Sequence, residues 1–181
     1  MSTKNPEAVF LDRDGVLNRR PTLARYVRRW GEFEWLPGAR EAVALLKRAG
    51  CRLFLITNQA GLASGQIAPQ DLAEIHHRMQ QDLRSAGGEL DAIYVCPHSP
   101  DAGCKCRKPK PGMLLQAARE HVFDLKSAIF IGDDEKDVQA GQAAGCRTFR
   151  VDDDRTLMRI VSEQILVGPR ASPLRRSSYG G

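Results

Sequence analysis

Five short apolar runs alternate with amphipathic segments along the chain, and no other feature constrains the fold as strongly. The runs that predict buried strands occupy residues 8–12, 52–57, 92–95, 128–133 and 148–151. Apolar residues at helical spacing predict helices over residues 37–50, 69–86, from Pro111 onward, 135–145 and 154–166. Strands that alternate with helices favour right-handed βαβ units. The sequence therefore predicts an α/β fold, with a Rossmann-like parallel sheet and helices on both of its faces.

The length and composition of the chain indicate one domain. The chain has 181 residues, of which 42% are hydrophobic and 27% are charged, as is typical of a globular domain with a packed core. We assign residues 1–168 to this domain, and we predict that residues 169–181, rich in Pro, Ser, Gly and Arg, form a disordered basic tail. We find neither a membrane-length apolar run nor an apolar N-terminal signal core, so we expect a cytoplasmic protein without membrane contacts.

Positive charge is concentrated in two segments. The net charge is +5, and residues 19–30, "RRPTLARYVRRW", contain five arginines and no acid. The tail adds three more arginines, which leaves the rest of the chain slightly acidic. Such segments bind phosphorylated small molecules, nucleic acids or membrane surfaces, or they are simply solvated surface. For the tail, solvated surface is the better interpretation.

Carboxylates follow the first predicted strand, at the edge of a parallel sheet where ligands usually bind. Asp12 comes directly after that strand, and Asp14 lies two residues further on. A carboxylate in this position can attack phosphorus, and a second one can protonate the leaving oxygen and later activate water. Gly15 permits the sharp turn out of the strand. The alternative interpretation is an ordinary polar turn, and for this motif alone the two are about equally supported.

The ends of the other strands carry groups that suit the same chemistry. Thr57 and Asn58 can donate hydrogen bonds to phosphoryl oxygens, although capping is the alternative role for such a pair. Asp133 and Asp137 are spaced to face each other at a helix start, and oxygen-rich carboxylate sites suit Mg²⁺. The alternative is charge that complements the helix dipole. Lys108 is the candidate cation that offsets phosphoryl charge, and its neighbour Lys110 must be distinguished from it.

A cluster of cysteines precedes this lysine. Cys96, His98, Cys104 and Cys106 form the set of three thiolates and one imidazole that suits a closed tetrahedral zinc site. A closed set leaves no position for water, so the predicted Zn²⁺ is structural. A disulfide is a weaker alternative, because it leaves the histidine unexplained and is rare in the cytoplasm. The two isolated cysteines of the chain are interpreted as ordinary buried residues.

The motifs "DRDGVLN", "ITNQ", "RKPKPG" and "GDDEKD", in this order, resemble those of the haloacid dehalogenase-like phosphatases over almost the whole predicted domain. The resemblance implies that Asp12 is the nucleophile and Asp14 the general acid and base. It implies that Thr57 binds the phosphoryl group and that Lys108 steadies both nucleophile and phosphate. It also implies that Mg²⁺ is held by the side chains of Asp12 and Asp133 and by the backbone carbonyl of Asp14, with Asp137 in the next layer of ligands.

The cysteine cluster narrows this resemblance to the heptose 1,7-bisphosphate 7-phosphatases and the closely similar histidinol-phosphate phosphatases. Members of that subgroup lack a large cap domain, in keeping with the length of this chain. The resemblance implies that Arg107 binds the substrate phosphate, and it places Asn58 and Gln59 of "TNQ" among the substrate-binding residues. The sequence departs from the subgroup at positions near the substrate: Ala60 stands where serine is usual, and Asp134, which we expect to contact the substrate, stands where lysine is common.

The segment that follows the first motif also departs from the subgroup. A His-Gly-Tyr turn is usual there, whereas this chain has the arginine-rich residues 19–30, in which Tyr26 is the remnant of that turn. Arginines such as Arg25 match phosphate oxygens with two hydrogen bonds and could clamp a second phosphate. An exposed basic flap is the alternative.

Together these features predict a phosphatase for a small phosphorylated sugar, with a heptose 1,7-bisphosphate as the leading candidate. Histidinol phosphate and other sugar or cyclitol phosphates are alternatives, but the arginines match a bisphosphate better than an amine. Nucleic-acid binding or 3′-end phosphatase activity is less favoured, because aromatic platforms for single strands are lacking. A zinc-organised binding protein without catalysis would leave the acid, base and metal set unexplained. We expect the enzyme to act as a monomer.

Overall fold

The computed structural model describes residues 5–21 and 26–166, so Arg25 and the predicted tail lie outside the described residues. The strands are β1 (Ala8–Leu11), β2 (Arg52–Asn58), β3 (Ala92–Cys96), β4 (Ala128–Gly132) and β5 (Arg147–Arg150). The helices are α1 (Ala39–Arg48), α2 (Pro69–Ser85), α3 (Gly112–His121), α4 (Glu135–Ala144) and α5 (Leu157–Ile160), the last continued by a π-helical turn at Val161–Ile165. Each predicted strand and helix is present, close to its predicted bounds.

The five strands form one parallel sheet in the order β3-β2-β1-β4-β5. Phe10 of β1 is paired with Phe54 of β2 on one side and with Phe130 of β4 on the other. The predicted α/β fold with a parallel sheet is therefore confirmed. Within the described residues, no helix combines the length and the apolar character required to cross a membrane.

Alternate residues of the central strands pack into two separate cores, one on each face of the sheet. Leu11 and Leu55 belong to the core that α1, α2 and α5 cover. Phe10 and Phe54 belong to the core that α3 and α4 cover. Burial of a side chain of this size contributes roughly 1.5–3 kcal/mol to the stability of the fold. Successive residues of a strand point to opposite faces, so a continuous apolar run is stable only where both faces of the sheet are covered.

Side-chain caps define where two of the helices begin. Asp134 precedes α4 and accepts a hydrogen bond from the Lys136 N–H at 3.1 Å, and together with Asp137 it forms a capping box. The last helix begins at Leu157, later than the sequence pattern predicts, because Thr156 caps it. The capping box matters for the site, since it fixes Asp137 in the first turn of α4.

Candidate active site

Asp12 leaves β1 at the edge of the sheet where the predicted site residues collect. Its backbone N–H donates to the Ile131 carbonyl at 3.0 Å, which continues the sheet pairing for one residue beyond the strand. Its carboxylate is buried, and the Lys108 Nζ lies 2.8 Å from its Oδ1. Burial and, to a smaller extent, the carboxylate of Asp137 outweigh the opposing charge of Lys108 and raise the pKa of Asp12 to about 7. A buried carboxylate at this position is well placed to react with an electrophile.

Four hydrogen bonds hold the side chain of Asp14. Arg13 Nη2 donates to both carboxylate oxygens at 3.2 and 3.1 Å, Asn18 Nδ2 donates at 3.0 Å, and Gln59 Nε2 donates at 3.0 Å. Burial alone would raise the pKa of Asp14, but the charge of Arg13 and the hydrogen bonds from Asn18 and Gln59 outweigh burial and lower it. Asp14 is therefore held in one orientation, with its ionised form favoured.

The turn that brings Asp14 back toward Asp12 depends on Gly15. Its φ is +89°, in the left-handed region that favours glycine. A β-carbon at this position would also lie 1.8 Å from Asp133 Oδ2. Any other residue here would both strain the backbone and displace Asp133, so the predicted role of Gly15 in the turn is supported by two independent constraints.

The end of β2 supplies Thr57, Asn58 and Gln59, which act in different ways. The Thr57 hydroxyl is buried and accepts a hydrogen bond from Gln59 Nε2 at 2.8 Å, so its own O–H remains available to donate. The Asn58 amide bonds to the backbone N–H and carbonyl of Lys108, both at 3.2 Å. Asn58 thus positions Lys108, and Gln59 positions Asp14; their predicted contacts with the substrate stay predictions.

Lys108 is the buried cation that contacts Asp12 and Asp137. Its side chain is 1% exposed, and its Nζ lies 2.8 Å from Asp12 and 2.7 Å from Asp137. A third contact, at 3.0 Å, is the carbonyl of Ile56. Burial alone would lower the pKa of Lys108, but the charges of the two carboxylates outweigh burial and raise it. Lys110, by contrast, is exposed and donates to the Gly103 and Cys104 carbonyls, away from the carboxylates.

Replacement of Lys108 with Met is expected to lower kcat/KM by at least about 100-fold and the free energy of unfolding by about 3–5 kcal/mol, because it leaves two buried carboxylates without their cation. Urea titration in Mg²⁺-free buffer and steady-state kinetics measure the two effects. Lys110→Met is the matched control, expected to retain turnover within about threefold and to lose at most about 1 kcal/mol. Equal losses in both variants would contradict the assignment of Lys108.

Three carboxylates, Asp12, Asp133 and Asp137, form a set suited to a hard divalent cation. One oxygen of each lies within 4.8 Å of the others. Asp137 Oδ2 also accepts hydrogen bonds from the backbone N–H groups of Asp133 and Asp134, at 3.2 and 3.1 Å. All donors in the set are oxygens, which is the ligand chemistry that Mg²⁺ prefers. The donor set therefore fits the predicted Mg²⁺.

The predicted zinc ligands also converge. Cys96 Sγ lies 3.7 Å from Cys104 Sγ and 3.3 Å from Cys106 Sγ, and His98 Nδ1 lies 3.2 Å from Cys106 Sγ. Ligand atoms at the corners of a tetrahedron with zinc bonds of roughly 2.0–2.3 Å are separated by about 3.3–3.8 Å. The cluster therefore has the dimensions of a tetrahedral zinc site. The two isolated cysteines, Cys51 and Cys146, are buried as predicted.

A cavity of about 260 Å³ opens above these groups and is called the active-site cavity below. Asp12, Asp14, Thr57 and Lys108 lie among the residues that line it. Seven further residues line it, among them Tyr26 and three cations, Arg20, Arg107 and Lys136. Arg107 Nη1 donates to the His98 carbonyl at 3.2 Å, which ties this side chain to the cysteine cluster. The cavity thus joins a reactive carboxylate pair to a cationic rim.

The arginines of residues 19–30 do not all face this cavity. Arg28 and Arg29 pair with Glu32, and Arg19 pairs with Glu34. Among the described arginines of the segment, only Arg20 lines the cavity. The predicted clamp for a second phosphate stays a prediction, and Arg20 is the described arginine of this segment that is placed to take part in it.

Asp134 is not among the residues that line the active-site cavity. It caps α4, and its carboxylate lies 3.1 Å from the Lys136 Nζ and 3.5 Å from Arg20. Lys136, two residues further on, lines the cavity instead. The substrate contact predicted for Asp134 therefore stays a prediction.

Sequence reasoning missed three residues that organise the site. Arg13 is completely buried and lies between Asp14 and His76, whose Nε2 is 3.3 Å from its Nη1. Burial and the charge of Arg13 lower the pKa of His76 to about 3, so the neutral ring can accept this hydrogen bond. Asn18 and Arg20 are the other two. Arg13 and Asn18 lie within the quoted motif "DRDGVLN", which is the one signal that could have identified them.

Comparison with known proteins gives a consistent result. A family model described as haloacid dehalogenase-like hydrolase matches residues 5–145. The D-glycero-β-D-manno-heptose-1,7-bisphosphate 7-phosphatase of Bordetella bronchiseptica is 43% identical over 143 residues, which cover 79% of this chain and 79% of its own. The D-glycero-α-D-manno-heptose-1,7-bisphosphate 7-phosphatase of Mycobacterium bovis is 38% identical over 149 residues, which cover 79% of this chain and 78% of its own.

Solved structures agree with the sequence comparison. The D,D-heptose 1,7-bisphosphate phosphatase from B. bronchiseptica, crystallised with magnesium and phosphate, aligns with a TM-score of 0.78 and 40% sequence identity. The alignment covers 86% of this chain and 84% of that one. The chain is therefore similar, over most of its length, to a phosphatase that binds magnesium and phosphate.

Proposed function

The chain belongs to the haloacid dehalogenase-like hydrolase family, and on that premise we propose that it is a phosphatase acting on a heptose 1,7-bisphosphate. It removes the 7-phosphate of D-glycero-D-manno-heptose 1,7-bisphosphate through an aspartyl-phosphate intermediate. The observation that carries the proposal is the meeting of Asp12, Asp14, Thr57 and Lys108 at one cavity with a cationic rim. Relatives named for this reaction at about 40% identity support the substrate class.

The first step is the transfer of the phosphoryl group to Asp12. A carboxylate oxygen of Asp12 attacks phosphorus, and the bond from phosphorus to the sugar oxygen breaks. Lys108 lies 2.8 Å from this carboxylate and keeps it oriented while offsetting charge on the transferring group. The O–H of Thr57, left free by the hydrogen bond that its oxygen accepts, donates to a phosphoryl oxygen.

Asp14 moves the proton in both steps. It donates a proton to the departing sugar oxygen, and it then takes a proton from the water that attacks phosphorus and releases Asp12. The lowered pKa of Asp14 in the free site suits the second step. For the first step, the nearby negative charge of the bound phosphate raises that pKa, which favours the protonated form. The four hydrogen bonds to Asp14 keep it in place between the two steps.

Two metal sites complete the proposal. Asp12, Asp133 and the backbone carbonyl of Asp14 would hold Mg²⁺ with Asp137 beside them, and the cation would offset negative charge on carboxylates and phosphoryl oxygens. Cys96, His98, Cys104 and Cys106, whose ligand atoms all lie within 4.8 Å of one another, would hold a structural Zn²⁺. This second ion would fix the loop that carries Arg107 and Lys108.

A screen of phosphate release with Mg²⁺ tests the substrate. We expect kcat/KM for heptose 1,7-bisphosphate to exceed that for histidinol phosphate and for a 3′-phosphorylated oligonucleotide by at least about 100-fold, because only the heptose presents two phosphate monoesters on one small molecule to the cationic rim. Both anomers are tested, since relatives are named for each. Phosphorus NMR should show that the anomeric phosphate remains. Equal turnover of histidinol phosphate would contradict the proposed substrate, and Asp12→Asn protein controls for contaminating phosphatases.

A further inference from the structure

Arg20 lines the active-site cavity and also binds Asp133, one of the three carboxylates proposed to hold Mg²⁺. Its Nε donates to Asp133 Oδ2, and its Nη2 donates to Asp133 Oδ1 at 2.7 Å. The same Nη2 lies 3.5 Å from Asp134 Oδ2. Bidentate pairs of this kind are among the stronger ion pairs, since two parallel hydrogen bonds fix the planar guanidinium on the carboxylate.

The two cations of the cluster differ in how firmly they are enclosed. Lys108, which serves Asp12 and Asp137, has a side chain only 1% exposed. Arg20, which serves Asp133, has a side chain 48% exposed, while Asp133 itself is 14% exposed. Arg20 can therefore leave its carboxylate toward solvent at little cost in packing, whereas Lys108 cannot.

The Arg20–Asp133 pair also lies directly against the catalytic turn. A β-carbon on Gly15 would be 1.8 Å from Asp133 Oδ2 and 3.1 Å from Arg20 Nε. The carboxylate oxygens that Arg20 occupies are thus on the side of Asp133 that faces the loop carrying Asp12. Because Arg20 binds both oxygens of Asp133, either oxygen that a cation in the cluster would use is one that Arg20 occupies.

We propose that Arg20 sets the metal affinity of the site by competing with Mg²⁺ for the carboxylate of Asp133. The inference rests on the proposed Mg²⁺ site. In the metal-free protein the guanidinium neutralises Asp133 and limits repulsion among the three carboxylates. Binding of Mg²⁺ requires the pair to open, so the affinity for Mg²⁺ is lower than the carboxylates alone would give. Arg20 is then a positioning residue for the metal site and takes no part in the bond-making steps.

Calorimetric titration of Mg²⁺ into protein dialysed free of Mg²⁺ tests the proposal, without strong chelators that would also remove zinc. We expect Arg20→Gln to bind Mg²⁺ about five- to twentyfold more tightly than the unchanged protein, because the competing ion pair is gone. Arg20→Lys, which keeps the charge but loses the paired hydrogen bonds, should fall between the two. A second readout is thermal stability: Arg20→Gln should melt lower without Mg²⁺ and gain more on its addition.

Arg150 offers a matched control for the effect of charge alone. Its Nε donates to the backbone carbonyl of the same Asp133 at 3.1 Å, and its side chain is similarly exposed, but it does not bind the carboxylate. Arg150→Gln should change the dissociation constant less than twofold. Equal gains in Arg20→Gln and Arg150→Gln, or no gain in either, would overturn the inference while leaving the phosphatase proposal intact. Absence of Mg²⁺ binding in all variants would overturn both.

Discussion

Replacement of Asp12 with Asn is expected to lower turnover by at least about a thousandfold while leaving the fold intact, because a neutral amide of the same shape cannot attack phosphorus. The same change should raise the melting temperature in Mg²⁺-free buffer near pH 8. The pKa of Asp12 in the folded protein is raised to about 7, above the ordinary value that it has in the unfolded chain. At a pH above both of these pKa values Asp12 is ionised in both states, and its ionised form opposes folding. A variant that is more stable and inactive would identify Asp12 as a residue held at a cost in stability for the sake of its reactivity.

Phosphate release, circular dichroism and thermal melts with and without Mg²⁺ measure these effects. Asp153→Asn is the matched control, since Asp153 is exposed and lies in the loop after β5. Its turnover and melting temperature should stay close to those of the unchanged protein. Retention of more than a tenth of normal turnover in Asp12→Asn would rule out the aspartyl-phosphate mechanism, whatever the effect on stability.

The fold could be predicted because its signal is periodic and local. β1 to β4 are mostly apolar runs, and β5, with an arginine at each end, is the weakest of the five signals. The helices between them have apolar residues at helical spacing, so the order of elements leaves few topologies. The last helix shows the limit of that signal. The sequence predicts a helix from residue 154, but the cap at Thr156 decides where the helix begins. A cap depends on one side-chain hydrogen bond, which periodicity does not report.

The candidate site was predictable for residues whose position at the end of a strand determines where their side chains lie. Asp12 comes directly after β1, Thr57 lies next to the last residue of β2, and Asp133 comes directly after β4. Because these strands are parallel neighbours, the three side chains meet at one edge of the sheet. The contact between Arg20 and Asp133 joins residues 113 positions apart through a long side chain with many rotamers. The same holds for Arg13 and His76, 63 positions apart. No motif spacing specifies such contacts, because packing of the surrounding loops selects one rotamer among several.

Loss of the proposed zinc ion is expected to inactivate the enzyme even though none of its proposed ligands belongs to the predicted catalytic set. Lys108 follows the last ligand, Cys106, by two residues, and its backbone is held to the sheet by Asn58. Arg107, between them, is tied to the backbone of His98. Without the ion, three thiols and an imidazole have little to hold them together, so the loop that positions both cations would lose its fixed shape.

We expect Cys104→Ala to lose bound zinc and to lower kcat/KM by on the order of a thousandfold. The substrate would be held less well by Arg107, and Lys108 would no longer offset charge in the transition state. Metal content by mass spectrometry should fall from about one zinc ion per chain. Hydrogen exchange should show lost protection over residues 96–107 while β1 and β4 stay protected. Cys146→Ala, which changes a buried cysteine outside the cluster, should keep zinc and turnover. Zinc-free protein with full turnover and unchanged loop protection would show that the cysteine cluster does not support the active site.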